Sequence, residues 1–253
     1  MEELRGKGER SLVGRICADR TIGKDVVRKT IEKIWRVNMS MDFTEIGNNV
    51  FVVTFANRGD RNRVLAGCLW LFDSYLFALK PFDGSMQGHL LDFSKANFWI
   101  QMYNLQLGGM NCKMGEAISS SIGKVLEVDG EENEVAWGRF IRVKVECELI
   151  KPLAWGRTVN YERKQIWIPF RYEKLPKICF RCGCILHSKQ GCLGGEGEGS
   201  KAEGDLRQFG AWMRASTASC YSAGRQSKAS GMGSNFASTD RGKRERRRQM
   251  EVF

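Results

Sequence analysis

The feature that most constrains this chain is a short run of cysteines with one histidine. Cys179, Cys182, His187 and Cys192 follow the spacing C-x2-C-x4-H-x4-C. Zn²⁺ prefers four sulfur or nitrogen ligands in a tetrahedron, and this segment supplies three thiolates and one imidazole. The sequence has 2 histidines, and one stands where the spacing requires it. Because the protein would fill all four positions, none is left for a catalytic water, and the pattern favours one structural zinc ion.

This spacing is that of a CCHC zinc knuckle, which we place at residues 176–193. Knuckles that bind single strands carry an apolar or aromatic side chain after the first cysteine, where a base can stack, and Phe180 stands there. Packing around the metal explains Phe180 equally well. We expect Arg181 and Lys189 to reach base edges or phosphates. The extra thiol of Cys184 could replace a ligand, but this would shorten the loop between the second and third ligands.

The charge of the chain favours a polyanionic partner. The formal net charge is +11 and the pI is about 9.3. Residues 151–192 hold nine Lys or Arg against two acidic residues, so the charge is concentrated beside the knuckle. Arg171, Lys174 and Lys177 belong to this segment, and we expect them to contact phosphates without reading sequence. The partner expected from these features is single-stranded RNA or DNA.

Residues 11–83 predict an α+β domain of ferredoxin-like (RRM-like) βαββαβ fold, after a leader at residues 1–10. The first strand is expected at residues 11–18 and a helix at 24–35. The apolar residues of this helix recur at steps of three and four and should share one face. They are Val27, Ile31, Ile34 and Trp35.

Alternating apolar residues predict a strand at residues 37–43, and residues 50–55 form the returning strand. Gly47-Asn48-Asn49 between them tolerates positive φ and predicts a hairpin turn. A short helix at 58–67 and a strand through Tyr75, Phe77 and Leu79, ended by Pro81, complete the domain.

RNA-recognition modules expose aromatic residues on the third strand, where this chain has Phe51 and Phe55. The Lys/Arg-Gly-aromatic sequence that precedes such residues is absent here. The sequence therefore favours core positions for Phe51 and Phe55, and the domain is expected to act mainly as a scaffold.

A connector at residues 84–97 precedes a second small α+β unit at 98–175 with basic strands. A strand is expected from Phe98 to Met102, and a helix from Met114 to Val125. The unit is either a second ferredoxin-like half or an extension of the first sheet.

Strict alternation at residues 139–149 predicts a long strand with one apolar and one charged face, and Arg142 and Lys144 lie on the charged face. A second strand at 166–172 is expected to pair antiparallel with it. The charged face is open to solvent or to a partner.

Residues 194–253 predict a disordered basic tail, since Gly, Ser and Ala dominate much of it. It ends in a basic cluster at residues 241–248, from Arg241 to Arg248. Such a cluster is typical of nuclear-import signals, of nucleic-acid-binding tails and of solubilising termini.

Several motifs of the second unit resemble a plant family with a conserved domain of unknown function followed by a CCHC knuckle. They are Trp137-Gly-Arg-Phe-Ile-Arg-Val-Lys-Val, Lys151-Pro-Leu, Tyr172-Glu-Lys-Leu-Pro-Lys-Ile-Cys-Phe-Arg-Cys-Gly183 and Phe209-Gly-Ala-Trp-Met-Arg-Ala215. That family is found in LINE-type (non-LTR) retrotransposon proteins and their relatives. The resemblance implies a nucleic-acid-binding, Gag-like role with zinc on Cys179, Cys182, His187 and Cys192. The family's glycine before the histidine is replaced by Leu186, which would be strained if the position needs positive φ.

These features predict a zinc-dependent nucleic-acid-binding protein with weak sequence specificity. The alternative is a protein-interaction or self-assembly module in which zinc is structural alone. We expect no enzyme, since His89 has no nucleophile motif nearby and no catalytic residues can be named. No small-molecule substrate or membrane contact is expected, because the longest apolar runs cannot span a bilayer. The charged start lacks a signal peptide, so an intracellular location, with the nucleus as one option, is expected.

Overall fold

The computed structural model describes most of the chain before the tail. The described residues are 6–37, 39–67, 69–82, 91–130, 138–187, 191–192 and 208–216. They form two five-stranded antiparallel sheets with few helices, so the predicted α+β class is confirmed. The predicted disordered tail lies outside the described residues, except for 208–216, where the structure has a 3-10 helix and the prediction of disorder is wrong. Within the described residues, no helix has the length and apolar character needed to cross a membrane.

The first unit contains the first sheet, with two helices between its strands. Its strands are β1 (Ser11–Ile16), β2 (Met41–Gly47), β3 (Val50–Phe55), β4 (Trp70–Phe72) and β5 (Tyr75–Phe82). Helix α1 (Lys24–Trp35) follows β1, and helix α2 (Arg58–Ala66) follows β3. The strand order β2-β3-β1-β5-β4 places the first strand in the middle, as the ferredoxin-like fold requires once β4 and β5 are counted as one hairpin.

The second unit repeats this arrangement with one helix. Its elements are β6 (Lys95–Tyr103), α3 (Cys112–Ser119), β7 (Lys124–Val128), β8 (Phe140–Glu148), β9 (Gly156–Tyr161) and β10 (Lys164–Tyr172). The order β7-β8-β6-β10-β9 matches that of the first unit strand for strand. A loop at residues 149–155 stands where the first unit has α2. The second unit therefore has its own sheet and does not extend the first.

The core of the first unit is built around Trp35, the fully buried last residue of α1. Its ring stacks on Phe55 and Phe77, with ring centroids 5.7 and 5.8 Å away. Phe51 and Phe55 are both buried in this helix-facing core, which confirms the prediction that they are core residues. Aromatic rings of this size supply much of the apolar area that stabilises a small domain.

The opposite face of the first sheet shares a hydrophobic cluster with the second unit. Val13, Leu76 and Ala78 are buried there, and Val50 and Val52 are half-buried against the same cluster. The cluster also contains the core of the second unit and Ile178 of the knuckle segment. Burial of shared apolar area stabilises the contact between the two units.

Several predictions for the first unit hold and others need correction. Helix α1 has its predicted bounds, but Ile34 is 39% exposed and does not share the buried face. The predicted turn is present, since Asn49 has φ of 57° and its side chain bonds the backbone of Arg20 and Ile22. Met39 is exposed and precedes β2, so that strand begins later than expected.

The end of this unit also differs from the prediction. The short strand β4 was not predicted, and β5 runs past Pro81 to Phe82. Pairing with β4 stops at Phe77, so one side of β5 has no strand neighbour at Pro81, and proline is tolerated at such an edge.

In the second unit, the predicted helix is wrong beyond Ser119. The hydroxyls of Ser119, Ser120 and Ser121 each donate to a carbonyl three or four residues earlier, which competes with helix continuation. Gly123 then lies so close to β8 that a Cβ would be 2.2 Å from the Glu146 carbonyl oxygen. Val125 is therefore in strand β7.

The pairing predicted for the strand at 166–172 is also wrong. The alternation of β8 is confirmed, with Ile141, Val143, Val145 and Cys147 all buried. However, β10 pairs with β6 and β9, because β6 lies between β8 and β10. The edge strand β9 was not predicted.

Candidate metal centre and nucleic-acid interface

The structure brings the four predicted zinc ligands together. The ligand atoms of Cys179, Cys182, His187 and Cys192 all lie within 4.8 Å of one another. The sulfurs of Cys179 and Cys192 are 3.8 Å apart, and Cys182 Sγ is 3.4 Å from His187 Nε2. A tetrahedron with Zn–S bonds of 2.3 Å has edges of about 3.8 Å, so the arrangement fits Zn²⁺. These four side chains would hold the ion and leave no open position.

Hydrogen bonds in the turn after Cys179 favour the thiolate form of this ligand. The N–H of Gly183 donates to the Cys179 carbonyl at 2.7 Å, which closes the turn. Burial disfavours the Cys179 thiolate, but hydrogen bonds from the backbone of Cys182 and Arg181, and from the side chains of His187 and Cys182, lower its pKa to about 6. Burial raises the pKa of Cys182 to about 12. A metal ligand must lose its proton, so the turn favours ionisation of one ligand before the ion binds.

The knuckle is fixed to the second unit by backbone hydrogen bonds. Leu153 N–H donates to the Gly183 carbonyl at 3.0 Å. The N–H groups of Ile185 and Leu186 both donate to the Leu149 carbonyl, at 3.1 and 2.9 Å. The knuckle therefore forms a continuation of the second unit rather than a separate module.

Two residues of the knuckle loop have roles in this contact. Leu186 does not have positive φ and packs half-buried against the hydrophobic cluster, so the strain expected if this position needed positive φ does not arise. Cys184 is buried and its thiol donates to the Ile150 carbonyl at 3.3 Å, outside the ligand cluster.

A segment after the knuckle returns to cover it. Residues 208–216 contain a 3-10 helix, Ala211–Met213, in which Met213 is fully buried. Ala215 N–H donates to the Tyr172 carbonyl at 2.9 Å, next to the end of β10. Phe209 packs on Gly183, where an added Cβ would be 2.4 Å from its ring. We call residues 208–216 the return segment.

The residues predicted to contact nucleic acid do not form a single group. Phe180 is 47% exposed and belongs to neither hydrophobic cluster, and Arg181 beside it is exposed too. Lys189 lies outside the described residues. Lys174 is 5.2 Å from the ring of Trp70, and Lys177 donates to the Tyr75 hydroxyl at 3.0 Å, so both lie against the β4–β5 hairpin.

Arg171 lies elsewhere, 5.4 Å from the ring of Trp212 in the return segment. The structure thus groups Phe180 with Arg181 and separates Arg171 from the two lysines. The contacts of all these residues with nucleic acid remain predictions.

A polar network on the second sheet was not predicted. Gln101 is fully buried and donates to Glu173 at 2.7 Å. Arg142 donates to both oxygens of Glu173, at 2.8 and 2.9 Å, and its guanidinium lies 3.7 Å from the ring of Trp99. Burial lowers the pKa of Arg142, but its bonds to Glu173 and Asp129 outweigh this and raise it. The alternation of β8 placed Arg142 on this face, but its partners are distant in sequence.

Comparison with known proteins identifies two parts of the chain. The model of a domain of unknown function, DUF4283, matches residues 5–87, and a zinc knuckle model matches residues 148–194. The uncharacterized protein At4g02000 of Arabidopsis thaliana is 23% identical over 124 residues. That match covers 49% of this chain and 39% of the relative's length.

Among solved structures, the first two RRM domains of yeast poly(U)-binding protein Pub1 are similar, with 10% identity and a TM-score of 0.23. That match covers 64% of this chain and 98% of the yeast one. The ferredoxin-like assignment of the first unit rests on its own strand order.

Proposed function

We propose that this protein binds single-stranded RNA or DNA with weak sequence specificity, through a knuckle whose fold depends on zinc. The observation that carries the proposal is the ligand cluster beside an exposed aromatic ring. Four ligand atoms lie within 4.8 Å, and Phe180, next to the first ligand, is 47% exposed. An exposed ring held on a rigid turn can stack on a base, and every base offers a face for such stacking.

The electrostatics support the same function. Arg181 is exposed beside Phe180, and Lys174 and Lys177 are exposed on the segment that leads into the knuckle. Exposed cations neutralise phosphates without regard to sequence, so affinity should fall steeply with salt. The match to a zinc knuckle model is in line with this role.

Further parts of the proposal follow from the resemblance and the site. A Gag-like role, in which the protein coats the RNA of a retrotransposon or derives from such a protein, is consistent with a domain of unknown function followed by a knuckle. A zinc site with four protein ligands has no place for substrate, so we propose a binding protein rather than an enzyme. We further propose an intracellular location, where thiols stay reduced.

A second candidate function is supported by the backbone contacts of the knuckle. Backbone hydrogen bonds of Leu149 and Leu153 join the knuckle to the second unit. In this function, zinc completes a folded surface for protein interaction or self-assembly. Binding that persists at high salt and needs no nucleic acid would favour this function.

The test is fluorescence anisotropy with a labelled single-stranded RNA and the matching DNA, across a salt series. We compare the zinc-loaded protein with His187→Ala, Phe180→Ala and the control Cys112→Ser, a cysteine outside the ligand cluster. Weaker binding by the first two variants, with unchanged binding by the third, supports the proposal. Unchanged affinity in both His187→Ala and Phe180→Ala would contradict it.

A further inference from the structure

The second unit has a partly open sheet face that lies outside the knuckle. The side chains of β8 alternate between the two faces of the sheet. Gly115 of α3 packs against Ile141 and Val143 on one of these faces. The other side therefore faces away from α3. In β10 the buried residues are Ile168, Phe170 and Tyr172, so Trp167 and Arg171 lie on the face away from the core.

Exposed tryptophans gather at one border of this face. Trp167 is 37% exposed, and Trp212 of the return segment is 39% exposed. Trp155 joins them, with its ring centroid 4.5 Å from Trp167 and 6.1 Å from Trp212. We call Trp155, Trp167, Arg171 and Trp212 the tryptophan patch. Clustered exposed aromatic rings are unusual on a protein surface and indicate a contact site.

The rings of the patch are held in place before any ligand arrives. A Cβ added to Gly156 would be 2.2 Å from Trp167 Cζ2, so the indole lies directly over a residue without a side chain. Trp212 is carried by the 3-10 helix whose Met213 is fully buried. Rigid exposed rings lose little conformational entropy on binding, which favours affinity.

The cation of the patch is available to a phosphate. Arg171 lies 5.4 Å from the Trp212 ring, and none of the salt bridges between described residues includes it. Arg142 on the same face differs, because Glu173 and Asp129 neutralise it. A guanidinium that forms no salt bridge with a described residue and lies beside the exposed indole of Trp212 matches a base and its phosphate better than it matches an apolar protein surface.

We propose that the tryptophan patch is a second binding site for single-stranded nucleic acid, in which bases stack on Trp167 and Trp212 and Arg171 binds a phosphate. The proposal rests on the proposed nucleic-acid-binding function, since it adds a surface for the same class of ligand. The patch and the knuckle are linked, because Phe209 packs on Gly183 and Trp212 follows three residues later. Chain geometry keeps Phe180 and Trp212 within roughly 30 Å, so one oligonucleotide can touch both.

The experiment measures binding of a fluorescein-labelled 20-nucleotide single-stranded RNA by anisotropy at fixed salt. Replacing both tryptophans, in Trp167→Ala with Trp212→Ala, should weaken binding roughly 10- to 100-fold, because stacking is lost. The pair Trp167→Phe with Trp212→Phe keeps the rings and should stay within about threefold of the wild type. Arg171→Gln should weaken binding and reduce the salt slope by about one phosphate contact, whereas the control Lys29→Gln, exposed on α1, should leave both unchanged.

The outcomes separate this proposal from the function on which it rests. If the alanine pair binds like the wild type while Phe180→Ala binds weakly, the patch is not a binding site and the knuckle function stands. If the wild type binds no single strand, both proposals fail. If the phenylalanine pair weakens binding as much as the alanine pair, loss of packing rather than of stacking is responsible, and the proposal is overturned. If RNA binding is unchanged but the alanine pair abolishes self-association in sedimentation, the patch is a protein contact instead.

Discussion

In the first unit, the centre of the sheet face away from the helices is covered by protein, whereas the corresponding face of the second unit is partly open. Val13, Leu76 and Ala78 are buried on the first of these faces. Trp167 and Arg171, on the second, reach solvent. The two units have the same strand order, so topology alone does not decide which face is free to bind a ligand.

The residues on these faces explain the difference. The first face carries small apolar side chains such as Val50 and Val52, which pack well against another apolar surface. The second carries Arg142, Gln101 and Glu173, whose polar groups bond to one another. Burying such groups without partners would be costly, so a satisfied network suits a face that stays near water. We therefore propose that the first unit acts as a scaffold and that the second unit supplies the binding surfaces.

The largest expected effect opens the knuckle and leaves the first unit folded. His187→Ala removes a ligand, and zinc binding supplies on the order of 10 kcal/mol to the folding of such a module. The amides of Leu153, Ile185 and Leu186 should then lose protection in hydrogen exchange, because they join the knuckle to the second unit. The amide of Val53 in the first unit should stay protected. Equal loss of protection at Val53 would show that the knuckle does not open separately from the rest of the protein, and Cys112→Ser controls for the loss of a half-buried cysteine elsewhere.

A second variant tests the scaffold. Trp35→Ala should lower the free energy of unfolding by about 4 kcal/mol, because a fully buried indole surrounded by aromatic rings is replaced by a cavity. Urea unfolding followed by circular dichroism measures this, and Trp35→Phe, which keeps a ring, should lose less. The shared hydrophobic cluster predicts a single transition in both variants. Two separate transitions would show that the units are energetically independent.

Local patterns were sufficient to predict much of the fold. Helix α1 and strand β3 have their predicted bounds, since period and turn residues lie within each segment. The pairing of β10 was not predictable in the same way, because β6 lies more than sixty residues earlier in the chain. The edge strands β4 and β9 were missed because β4 has 3 residues, too few to show alternation, and β9 is mainly polar with little apolar alternation of its own.

The same limit applies to the candidate site. The ligand set could be read from spacing, because all four residues lie within one short segment. The contact of Phe209 with Gly183 and the contact of Trp155 with Trp212 instead join segments that are distant in the sequence. The resemblance had marked the return segment as a motif, but its place beside the knuckle required the fold.

A smaller effect separates two glycines of the knuckle. Gly183→Ala should lower the free energy of unfolding by about 3 kcal/mol, since positive φ adds about 1 kcal/mol and overlap with Phe209 adds the rest. Gly191→Ala is the matched control, because its φ of 86° is also positive but nothing lies within 4 Å of an added Cβ. Gly191→Ala should lower the free energy of unfolding by about 1 kcal/mol. Equal losses in the two variants, measured by thermal unfolding of the zinc-loaded protein, would argue against close packing of the return segment.

The smallest effect tests whether the polar network keeps the second sheet face ordered. Glu173 accepts hydrogen bonds from Gln101 and Arg142 on both of its oxygens, and its side chain is 11% exposed. In Glu173→Gln one oxygen becomes an amide nitrogen that faces these donors, so the free energy of unfolding should fall by about 2 kcal/mol. Glu127→Gln is the control, because its carboxylate is 56% exposed and 3.5 Å from Lys144, and such pairs contribute less than about 0.5 kcal/mol. If the two variants unfold at the same urea concentration, the network does not stabilise the face. The contrast with the covered face of the first unit would then rest on shape alone.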